Sequence, residues 1–483
     1  MALNTANPAS AATSSNWRTR LQALGKEQFI IDEMIRSGFS DITPTQQEHF
    51  KKISDELANI NTELYKLQKE LNGIEDVTPL LKQIRQNRIE RVRAKRIVSR
   101  IEKEANAKLH KETIVAREKA TPSHLGDDIS AGLVYTNTDL EKLKANNLPL
   151  VENLTQLAEF SKLEEKNWKW LSYHRRVAKI DHYTRFEIPK KKGGTRQIAA
   201  PKKTLRKAQT WILENILEKI PAHEAAFAFL PKMNTKLNAD HHLNKNIVVR
   251  IDLKDFFPSI KFPRIKGLFC SFGYSEAMAT IFALVCTDAL RVEAVLDQKS
   301  NFVALGARFL PQGACTSPMI TNLICRKLDN RLQNLAQKLT EKAEDNSAQK
   351  HNFSYTRYAD DLVFSTESKD PALMKQLLHF VNKIVADEKL EINREKTMIM
   401  RKSQRQTVTG VLVNNNETKI SRTDIRKFRA FLHQFKVIGE VEMSKKIGKD
   451  AKHYGKGYFS YLKMISPAQA SKIAETNAWL LEK

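Results

Sequence analysis

Apolar residues in the first part of the chain repeat with a period that predicts one long helix. Between residues 50 and 74 they are separated alternately by three and four residues, the a/d pattern of a coiled coil. Thr43 and Gln46 form a candidate capping box at its start, and Gly73 with Pro79 marks its end. The apolar positions, named here the α3 stripe, are Phe50, Ile53, Leu57, Ile60, Leu64, Leu67, Leu71 and Ile74.

A second helix is predicted at residues 80–117, after a shorter helical segment at 17–39 and the long helix. It has a dense run of basic residues and few acids: Arg85, Arg88, Arg91, Arg93, Lys95, Arg96 and Arg100. Like charges at this density repel one another, which favours contact with RNA or DNA over a merely solvated surface. The two long helices predict an antiparallel hairpin. We expect the α3 stripe to pack within it, with a second copy or a partner helix as the alternatives.

Strand patterns begin further along the chain. Residues 183–198 predict a β-hairpin around Gly193 and Gly194, and residues 247–253 form an almost wholly apolar strand that ends in acids. Two short runs rich in aromatic and β-branched residues flank Asp360 and Asp361, which predicts two strands joined at an acidic turn. Helical patterns at 154–176, 205–220, 319–335 and 422–438 separate these strands. The fold class is therefore α+β.

Charge narrows the choice of partner. The 483 residues include 80 Lys and Arg against 55 Asp and Glu, a net charge of +25. Such an excess favours a polyanion, and nucleic acid over an anionic membrane. No run approaches the roughly 18 apolar residues of a membrane span, and the first 15 residues do not resemble a signal peptide. Four cysteines without Cys-x-x-Cys spacing indicate reduced thiols, so we expect a soluble cytoplasmic protein.

Three acids are candidate metal ligands. A carboxylate at the end of a buried strand is costly without a compensating cation, and this describes Asp252. If Asp252 lies beside Asp360 and Asp361, the cluster suits Mg²⁺, with Mn²⁺ as the alternative ion. Two such ions about 4 Å apart can activate a 3′-hydroxyl and stabilise the leaving pyrophosphate. Asp255, three residues after Asp252, is the comparison residue without an assigned role.

The order of these blocks resembles the palm of reverse transcriptases. An Asp at a strand end precedes an aromatic residue by five positions, and Pro311-Gln312-Gly313, Ser317-Pro318 and Tyr358-Ala359-Asp360-Asp361 follow. Within that superfamily the chain most resembles the retron enzymes. Asn238, Ala239 and His242 fit the retron Asn-Ala-x-x-His signature, and Val408-Thr409-Gly410 fits the retron Val-Thr-Gly signature. The resemblance extends from about residue 154 to the end of the chain.

The resemblance implies roles for individual residues. Asp252, Asp360, Asp361 and the backbone carbonyl of Leu253 would hold metal. A steric gate that excludes ribonucleotides would be Phe257, with Phe256 in the core if the segment stays extended. The nucleotide contacts would be Lys190, Arg196, Gln312, Gly313 and Lys396; the primer and template contacts would be Tyr358, Ser317 and Pro318; and the fold or RNA-recognition signatures would be Asn238, Ala239, His242, Val408, Thr409 and Gly410.

The resemblance also implies a right-hand polymerase fold behind a helical extension. The expected divisions are a disordered tail at 1–16, a basic coiled-coil extension at 17–120, a linker at 121–150, fingers and the start of the palm at 151–245, the palm at 246–405, and a thumb that binds RNA at 406–483. The linker is placed at a stretch with Pro122, Gly126 and Gly132, which breaks the helical pattern.

Retron resemblance implies RNA-templated DNA synthesis from deoxynucleoside triphosphates. The template would be a cognate structured non-coding RNA, extended from an internal guanosine 2′-hydroxyl to give branched msDNA, in a system for antiphage defence. A separate effector protein and a homo-oligomer through the N-terminal helices are further expectations, and a membrane is not expected. Two alternatives stay open: another bacterial reverse transcriptase of the group II intron or abortive-infection kind, and a nucleic-acid-binding scaffold that recruits an effector.

Overall fold

The structure, a computed structural model, describes residues 17–39, 43–72, 78–122, 124–126, 129, 132–190, 193–296, 298–345 and 352–482. The expected tail at 1–16 and Ile74 of the α3 stripe lie outside the described residues. The chain divides into two compact units, Met1–Lys111 and Glu112–Lys483, so the boundary falls within the second long helix.

The first unit is helical, as the periodicity predicts. The predicted capping box is confirmed, because Gln46 Oε1 accepts a hydrogen bond from the backbone N–H of Thr43 at 3.0 Å. Gly25 separates the first two helices, which the sequence pattern treated as one segment. The helices are α1 (Trp17–Leu24), α2 (Lys26–Arg36), α3 (Pro44–Leu71) and α4 (Thr78–Ala120).

The described residues of the first unit do not bury the α3 stripe. Its side chains from Phe50 to Leu67 are between 37 and 51% exposed, and apolar side chains of α4 such as Ile97 and Ile101 are each 60% exposed. The expectation that the two arms of a hairpin bury the stripe is therefore wrong for the described residues. The a/d spacing identifies the side of the helix that needs a partner, but not which helix supplies it.

The prediction of a linker at residues 121–150 is also wrong over most of that segment. Leu133, Tyr135, Leu143 and Leu148 are buried in a hydrophobic core with helices of the second unit. A short helix, α5 (Leu140–Ala145), lies within this segment. Pro and Gly interrupt the helical period there, but the apolar residues between them still contribute to a core, which a search for breaks in periodicity overlooks.

The second unit alternates helices and strands, which confirms the α+β class. After α5 its elements are, in order, α6 (Leu154–Ser161), α7 (Glu165–Ser172), β1 (Val177–Ala178), β2 (Tyr183–Pro189), β3 (Thr195–Pro201), α8 (Lys203–Asn215), α9 (Thr235–Asp240), β4 (Ile247–Leu253), α10 (Phe256–Ser259), α11 (Phe262–Phe272), α12 (Glu276–Cys286), β5 (Asp288–Leu296), β6 (Lys299–Phe309), α13 (Ser317–Ile324), α14 (Arg326–Asp345), β7 (Phe353–Tyr358), β8 (Asp361–Thr366), α15 (Pro371–Asp387), β9 (Ile392–Arg401), β10 (Thr407–Val408), β11 (Val411–Leu412), α16 (Arg422–Ile447), α17 (Ala451–Ile465) and α18 (Pro467–Ala474).

The central sheet carries the acidic turn. Its strand order is β7-β8-β4-β9, and all three pairings are antiparallel. Strand β4 lies between two neighbours and is buried at every position except Arg250. Buried apolar residues of β4, β7 and β8 pack with those of α14 and α15 in one core. The predicted apolar strand and the predicted pair of strands around Asp360 are therefore confirmed.

Smaller sheets and a helical core complete the unit. Strands β2 and β3 form the predicted hairpin, with Ile188 opposite Arg196 in its register. Strands β1, β6 and β5 form a second antiparallel sheet. Strands β10 and β11 pair around a turn at Thr409 and Gly410, whose φ values are 47° and 85°. Helices α16, α17 and α18 share a core with these last strands.

A buried arginine joins the acidic turn to the helices beneath it. Arg357 of β7 is fully buried, and its Nε and Nη2 donate to the carboxylate of Asp329 at 2.8 and 2.7 Å. Its Nη1 donates to Asn322 Oδ1 at 3.0 Å and to the carbonyl of Ala359 at 3.3 Å. Because Asp329 lies on α14 and Asn322 on α13, one side chain connects two helices to the turn that carries Asp360.

The loop before α13 is pressed against the β2–β3 hairpin. The carbonyl of Gln312 accepts a hydrogen bond from the N–H of Ala199 at 2.7 Å. Gly313 has φ +114°, and a Cβ built there would lie 2.9 Å from both the Ala199 carbonyl oxygen and Ile198 Cγ2. Only a residue without a side chain fits this approach without displacing backbone.

Replacing Arg357 by Met should destabilise the second unit strongly. Arg357→Met leaves Asp329 as a buried carboxylate without its cation, which costs about 3–5 kcal/mol. We expect a large fall in the urea midpoint followed by tryptophan fluorescence. The control is Lys445→Met, because the Lys445–Glu442 pair is exposed and such pairs contribute about 0–1 kcal/mol. Equal midpoints for the two variants would contradict the buried network as a source of stability.

Replacing Gly313 by Ala should also lower the thermal midpoint, by an amount set by the clash. Overpacking of this kind costs roughly 1–3 kcal/mol. Gly306→Ala is the matched control, because Gly306 also has positive φ, +71°, but a Cβ there meets nothing within 4 Å. Differential scanning calorimetry should show a larger loss for Gly313→Ala. A loss no greater than that of Gly306→Ala would mean that β3 yields to the added methyl group.

Candidate active site

The sheet register brings the three predicted acids to one end of the sheet. Asp252, near the end of β4, lies opposite Asp361, the first residue of β8. Asp360 occupies the turn between β7 and β8, and its carbonyl accepts a hydrogen bond from the N–H of Leu253 at 2.9 Å. The turn depends on Ala359, which has φ 56°. Acids that lie about a hundred residues apart in the sequence thus become neighbours.

Burial and repulsion between carboxylates raise the pKa values of Asp361 and Asp360. The pKa of the Asp361 carboxyl is raised to about 6, chiefly by burial; Arg250 opposes the rise, and Asp360 and Asp252 add to it. The pKa of Asp360 is also raised, again chiefly by burial and in part by Asp252. Neighbouring carboxyl groups that repel one another when ionised are stabilised in their ionised form by a cation between them.

Two basic side chains already compensate part of this charge. Lys396 of β9 places Nζ 3.1 and 3.0 Å from the two carboxylate oxygens of Asp252. Arg250 of β4 forms an ion pair with Asp361, with 3.5 Å between Arg250 Nε and Asp361 Oδ1. No role was predicted for Arg250, although a basic residue within an otherwise apolar run is a signal that could have identified it.

The cluster fits a hard divalent cation in its donor chemistry. Across the described part of the chain, no three His, Cys, Asp or Glu side chains already stand in a metal-binding arrangement. Carboxylate oxygens such as those of Asp252, Asp360 and Asp361 are the ligands that Mg²⁺ prefers. The roles of these three residues as metal ligands stay predictions.

The aromatic pair after Asp252 is helical, not extended. Asp255 has φ 42° and turns the chain into α10. Phe256 is buried, as predicted, and Phe257 is half-buried, with ring centroids 5.7 Å apart. Successive residues of a helix point about 100° apart, so the two rings still diverge although the segment is not a strand. The ring of Phe229, for which the sequence predicted no role, has its centroid 6.3 Å from that of Phe257.

The predicted nucleotide contacts are brought together only in part. Arg196 is near enough for its charge to oppose the raised pKa of Asp360, and it is exposed on β3. Lys190 lies at the end of the hairpin, where its N–H donates to the Gly194 carbonyl at 2.9 Å, and it is also exposed. Gln312 and Gly313 contact the same hairpin through Ala199.

The predicted primer and template residues flank the same turn. Tyr358 ends β7 opposite Asp361 and is half-buried. Ser317 starts α13, followed by Pro318, and Ser317 Oγ donates to the Pro311 carbonyl at 2.8 Å, which fixes the loop that carries Gln312. Their contacts with a primer or template stay predictions.

The side chains of the first retron signature are buried inside the protein. Asn238 and Ala239 of α9 and the nearby His242 are fully buried. The ring nitrogens of His242 lie 2.7 Å from Ser365 Oγ and 2.7 Å from Thr356 Oγ1, so the ring joins β8 to β7. Burial lowers the pKa of His242 to about 3, which makes it a neutral structural residue. These side chains therefore act through the fold, and direct RNA recognition by them stays a prediction.

The second retron signature contacts α9, the helix that carries most of the first. Val408 is fully buried, while Thr409 is half-buried and Gly410 is exposed in the turn between β10 and β11. Thr409 Oγ1 donates to the carbonyl of Thr235, at the start of α9, at 3.5 Å. Sequences about 170 residues apart thus form one local structure, and only its turn residues reach the surface.

Comparisons with known proteins agree with this site. Residues 188–413 match the family model described as "Reverse transcriptase (RNA-dependent DNA polymerase)". The chain is similar to the Retron Mx162 reverse transcriptase of Myxococcus xanthus, with 36% identity over 344 residues that cover 68% of this chain and 67% of that one. It is 35% identical over 303 residues to the Retron Mx65 reverse transcriptase of the same organism, covering 63% and 66% of the two chains.

The match to another relative covers a larger share of that relative's length. The Retron Ec86 reverse transcriptase of Escherichia coli is 30% identical over 302 residues, which are 62% of this chain and 82% of that one. Among solved structures, apo telomerase from Candida Tropicalis matches with a TM-score of 0.36 and 14% identity over 60% of this chain and 59% of that chain.

Within the described residues, no helix has the length and apolar character needed to cross a membrane. The reverse transcriptase family model spans the central sheet and its acidic turn, and the three retron relatives match between 62 and 68% of this chain. The chain belongs to the retron reverse transcriptases, which are RNA-directed DNA polymerases.

Proposed function

We propose that this chain copies a cognate structured RNA into single-stranded DNA that stays linked to the RNA as msDNA. The observation that carries the proposal is the meeting of Asp252 and Asp360 at one buried turn, in a chain with both retron signatures. The retron relatives favour this interpretation over an intron-type or abortive-infection enzyme. Extension from an internal guanosine 2′-hydroxyl is part of the proposal by family resemblance.

Asp252 and Asp360, with the Leu253 carbonyl and a lesser contribution from Asp361, would hold two Mg²⁺ ions, or Mn²⁺ in their place. Bound there, such ions lower the pKa of the attacking hydroxyl and neutralise charge on the phosphates. Lys396 compensates Asp252 in the structure. Its side chain is 45% exposed, so it can leave Asp252 and turn toward a pyrophosphate, as a phosphate contact or a proton donor.

The nucleotide would lie between the β2–β3 hairpin and α10. Arg196 and Lys190 would bind its phosphates, since Arg grips phosphate bidentately and Lys supplies a point charge. Gln312 and Gly313 would line the template and base side. The ring of Phe257 would lie beneath the sugar and exclude a 2′-hydroxyl by steric conflict. Tyr358 would abut the primer terminus, with Ser317 and Pro318 bordering the template.

RNA would be bound by basic helices outside the sheet. Every arginine and lysine of the basic run on α4 is exposed in the structure. Basic residues of α16, among them Arg426 and Arg429, are exposed as well, in the region expected to form the thumb. Contacts to phosphate and 2′-hydroxyl groups suit an A-form duplex better than base readout does. The exposed turn at Thr409 and Gly410 would contribute to recognition of the cognate RNA.

The biological role would be antiphage defence in the cytoplasm, with a separate effector protein. The motive for an effector is that the sequence has no evident nuclease or protease motif of a toxin. Purification of the complex from its native locus tests this: an additional stoichiometric protein supports the proposal, and a complex of enzyme, RNA and DNA alone contradicts it. A scaffold that needs no synthesis would protect cells even with Asp360→Ala.

Asp360→Asn should abolish DNA synthesis while RNA binding persists. Removing one carboxylate from the pair lowers affinity for the metal and the rate together, and we expect a loss of roughly 100-fold or more, on the order of that for other catalytic groups. The assay is primer extension on an RNA template. Asp255→Asn is the matched control, because Asp255 is exposed, has left-handed φ that Asn tolerates, and should retain near-normal activity. Equal activity of the two variants would show that Asp360 is not an active-site residue.

Phe257→Ala should relax selection against ribonucleotides. Removing the ring opens space beneath the sugar, so incorporation of ribonucleotides should rise relative to deoxynucleotides by roughly tenfold or more, equivalent to about 1.4 kcal/mol or more. The ratio of kcat/KM for a ribonucleotide and its deoxynucleotide measures this. Phe256→Leu provides a control for core disturbance, since Phe256 is buried beside it. An unchanged ratio in Phe257→Ala would show that another residue performs the selection.

Neutralising the basic run of α4 should weaken RNA binding in a salt-dependent way. Arg88→Gln with Arg91→Gln removes two cations, so the slope of log binding constant against log salt should fall by up to about two. Filter binding at several salt concentrations measures the slope. Lys51→Gln with Lys52→Gln, on α3, removes the same charge outside the run. The same slope in both double variants would contradict a specific role for α4.

A further inference from the structure

The exposed α3 stripe is an apolar seam that requires a partner. Within α3 it extends from Phe50 to Leu71, which corresponds to roughly 32 Å of helix. Its six positions from Phe50 to Leu67 are 37 to 51% exposed. Soluble proteins rarely leave so long a contiguous apolar surface in water, and such surfaces mark interaction sites.

The flanking residues identify the kind of partner. With Phe50 at position a, the positions that flank the seam separate by charge. The g positions Glu56, Glu63 and Glu70 are all acidic, whereas the e positions Ser54, Asn61 and Gln68 are all neutral and polar. In a coiled coil these two positions set partner choice and orientation.

We propose that α3 assembles with α3 of other copies of this chain as a parallel coiled coil. In a parallel assembly each g residue faces an e residue of the neighbour, so every glutamate meets a neutral amide or hydroxyl. An antiparallel assembly of identical helices would place g against g, and glutamate would face glutamate at close range. The one-sided distribution of charge therefore selects the parallel arrangement.

The residues within the seam favour more than two helices. Leu57 and Leu64 occupy a positions, and Ile53 and Ile60 occupy d positions. Leucine at a with isoleucine at d shifts parallel coils from dimers toward trimers and tetramers. Three complete heptads, from Phe50 to Glu70, lie within α3, which reaches the length at which a coiled-coil pattern is recognised. The assembly therefore contains more than two copies.

The alternative occupant within the chain is the α4 helix, and its apolar pattern does not fit. Its apolar side chains are exposed, and arginines interrupt a continuous a/d pattern. The inference depends on α3 alone and not on catalysis, so it can fail while the proposed function stands.

Light scattering after size exclusion tests the assembly on the full-length protein. The protein is treated with RNase and DNase and run at high salt, so that nucleic acid cannot link the copies. The wild type should have three or four times the mass of one chain. Ile60→Asp should reduce the mass to one chain and leave primer extension unchanged. Tyr65→Asp is the control, because Tyr65 is 71% exposed at position b, outside the seam.

Two further variants test helix number and orientation. Exchanging the seam residues in Leu57→Ile, Leu64→Ile, Ile53→Leu and Ile60→Leu places isoleucine at a and leucine at d, which should convert the assembly to a dimer. Phe50→Cys treated with a short bismaleimide should cross-link chains beyond the wild-type background. In an antiparallel pair the two introduced thiols would lie about 30 Å apart and would not be linked.

Three outcomes would overturn the proposal. The first is a monomeric wild type at every concentration. The second is an assembly that survives Ile60→Asp. The third is a monomeric enzyme that co-purifies from its native locus with a different protein, lost in Ile60→Asp, which would make that protein the occupant of the seam.

Discussion

The structure depends on holding carboxylates together at the buried end of a strand. Asp252 and Asp360 raise each other's energy, and burial raises it further, so the site is stable only with positive charge nearby. Lys396 contacts Asp252, Arg250 pairs with Asp361, and the charge of Arg196 reaches Asp360. These three cations come from three different strands. The central sheet and the β2–β3 hairpin therefore both have to form before the site exists, and the assembled cluster has the donor chemistry for a divalent metal.

A buried hydrogen-bond network fixes the geometry of the acidic turn. Arg357 bonds to Asp329 and Asn322 and reaches the carbonyl of Ala359, the left-handed residue before the acids. Asn322 also donates to the Ala228 carbonyl at 2.9 Å, beside Phe229 and so near Phe257. One buried polar network thus connects the turn that carries the acids with the segment that borders Phe257. Such a network confers rigidity only when every member is satisfied.

Much of this was predictable because it is local. The apolar run of β4, the aromatic flanks of the acidic turn, the Gly193-Gly194 hairpin and the period of α3 each carry their own structural preference. What sequence did not reveal depends on contacts between distant segments. In the sequence Arg357 resembles any other basic residue, because its pairing with Asp329 exists only in the fold. Leu143 lies in a stretch predicted as a linker, yet the fold buries it in a core. The left-handed Asp255 that begins α10 has no sequence signal of its own.

The most direct test of the site is to locate metal in it. Crystals of the enzyme with an RNA template, a DNA primer and an incoming deoxynucleotide should be grown with Mn²⁺, whose anomalous scattering identifies its position. We expect Mn²⁺ within about 2 Å of carboxylate oxygens of Asp252 and Asp360, with Lys396 Nζ moved away from Asp252. Mn²⁺ bound elsewhere, or Lys396 still in contact with Asp252 in that complex, would contradict the account.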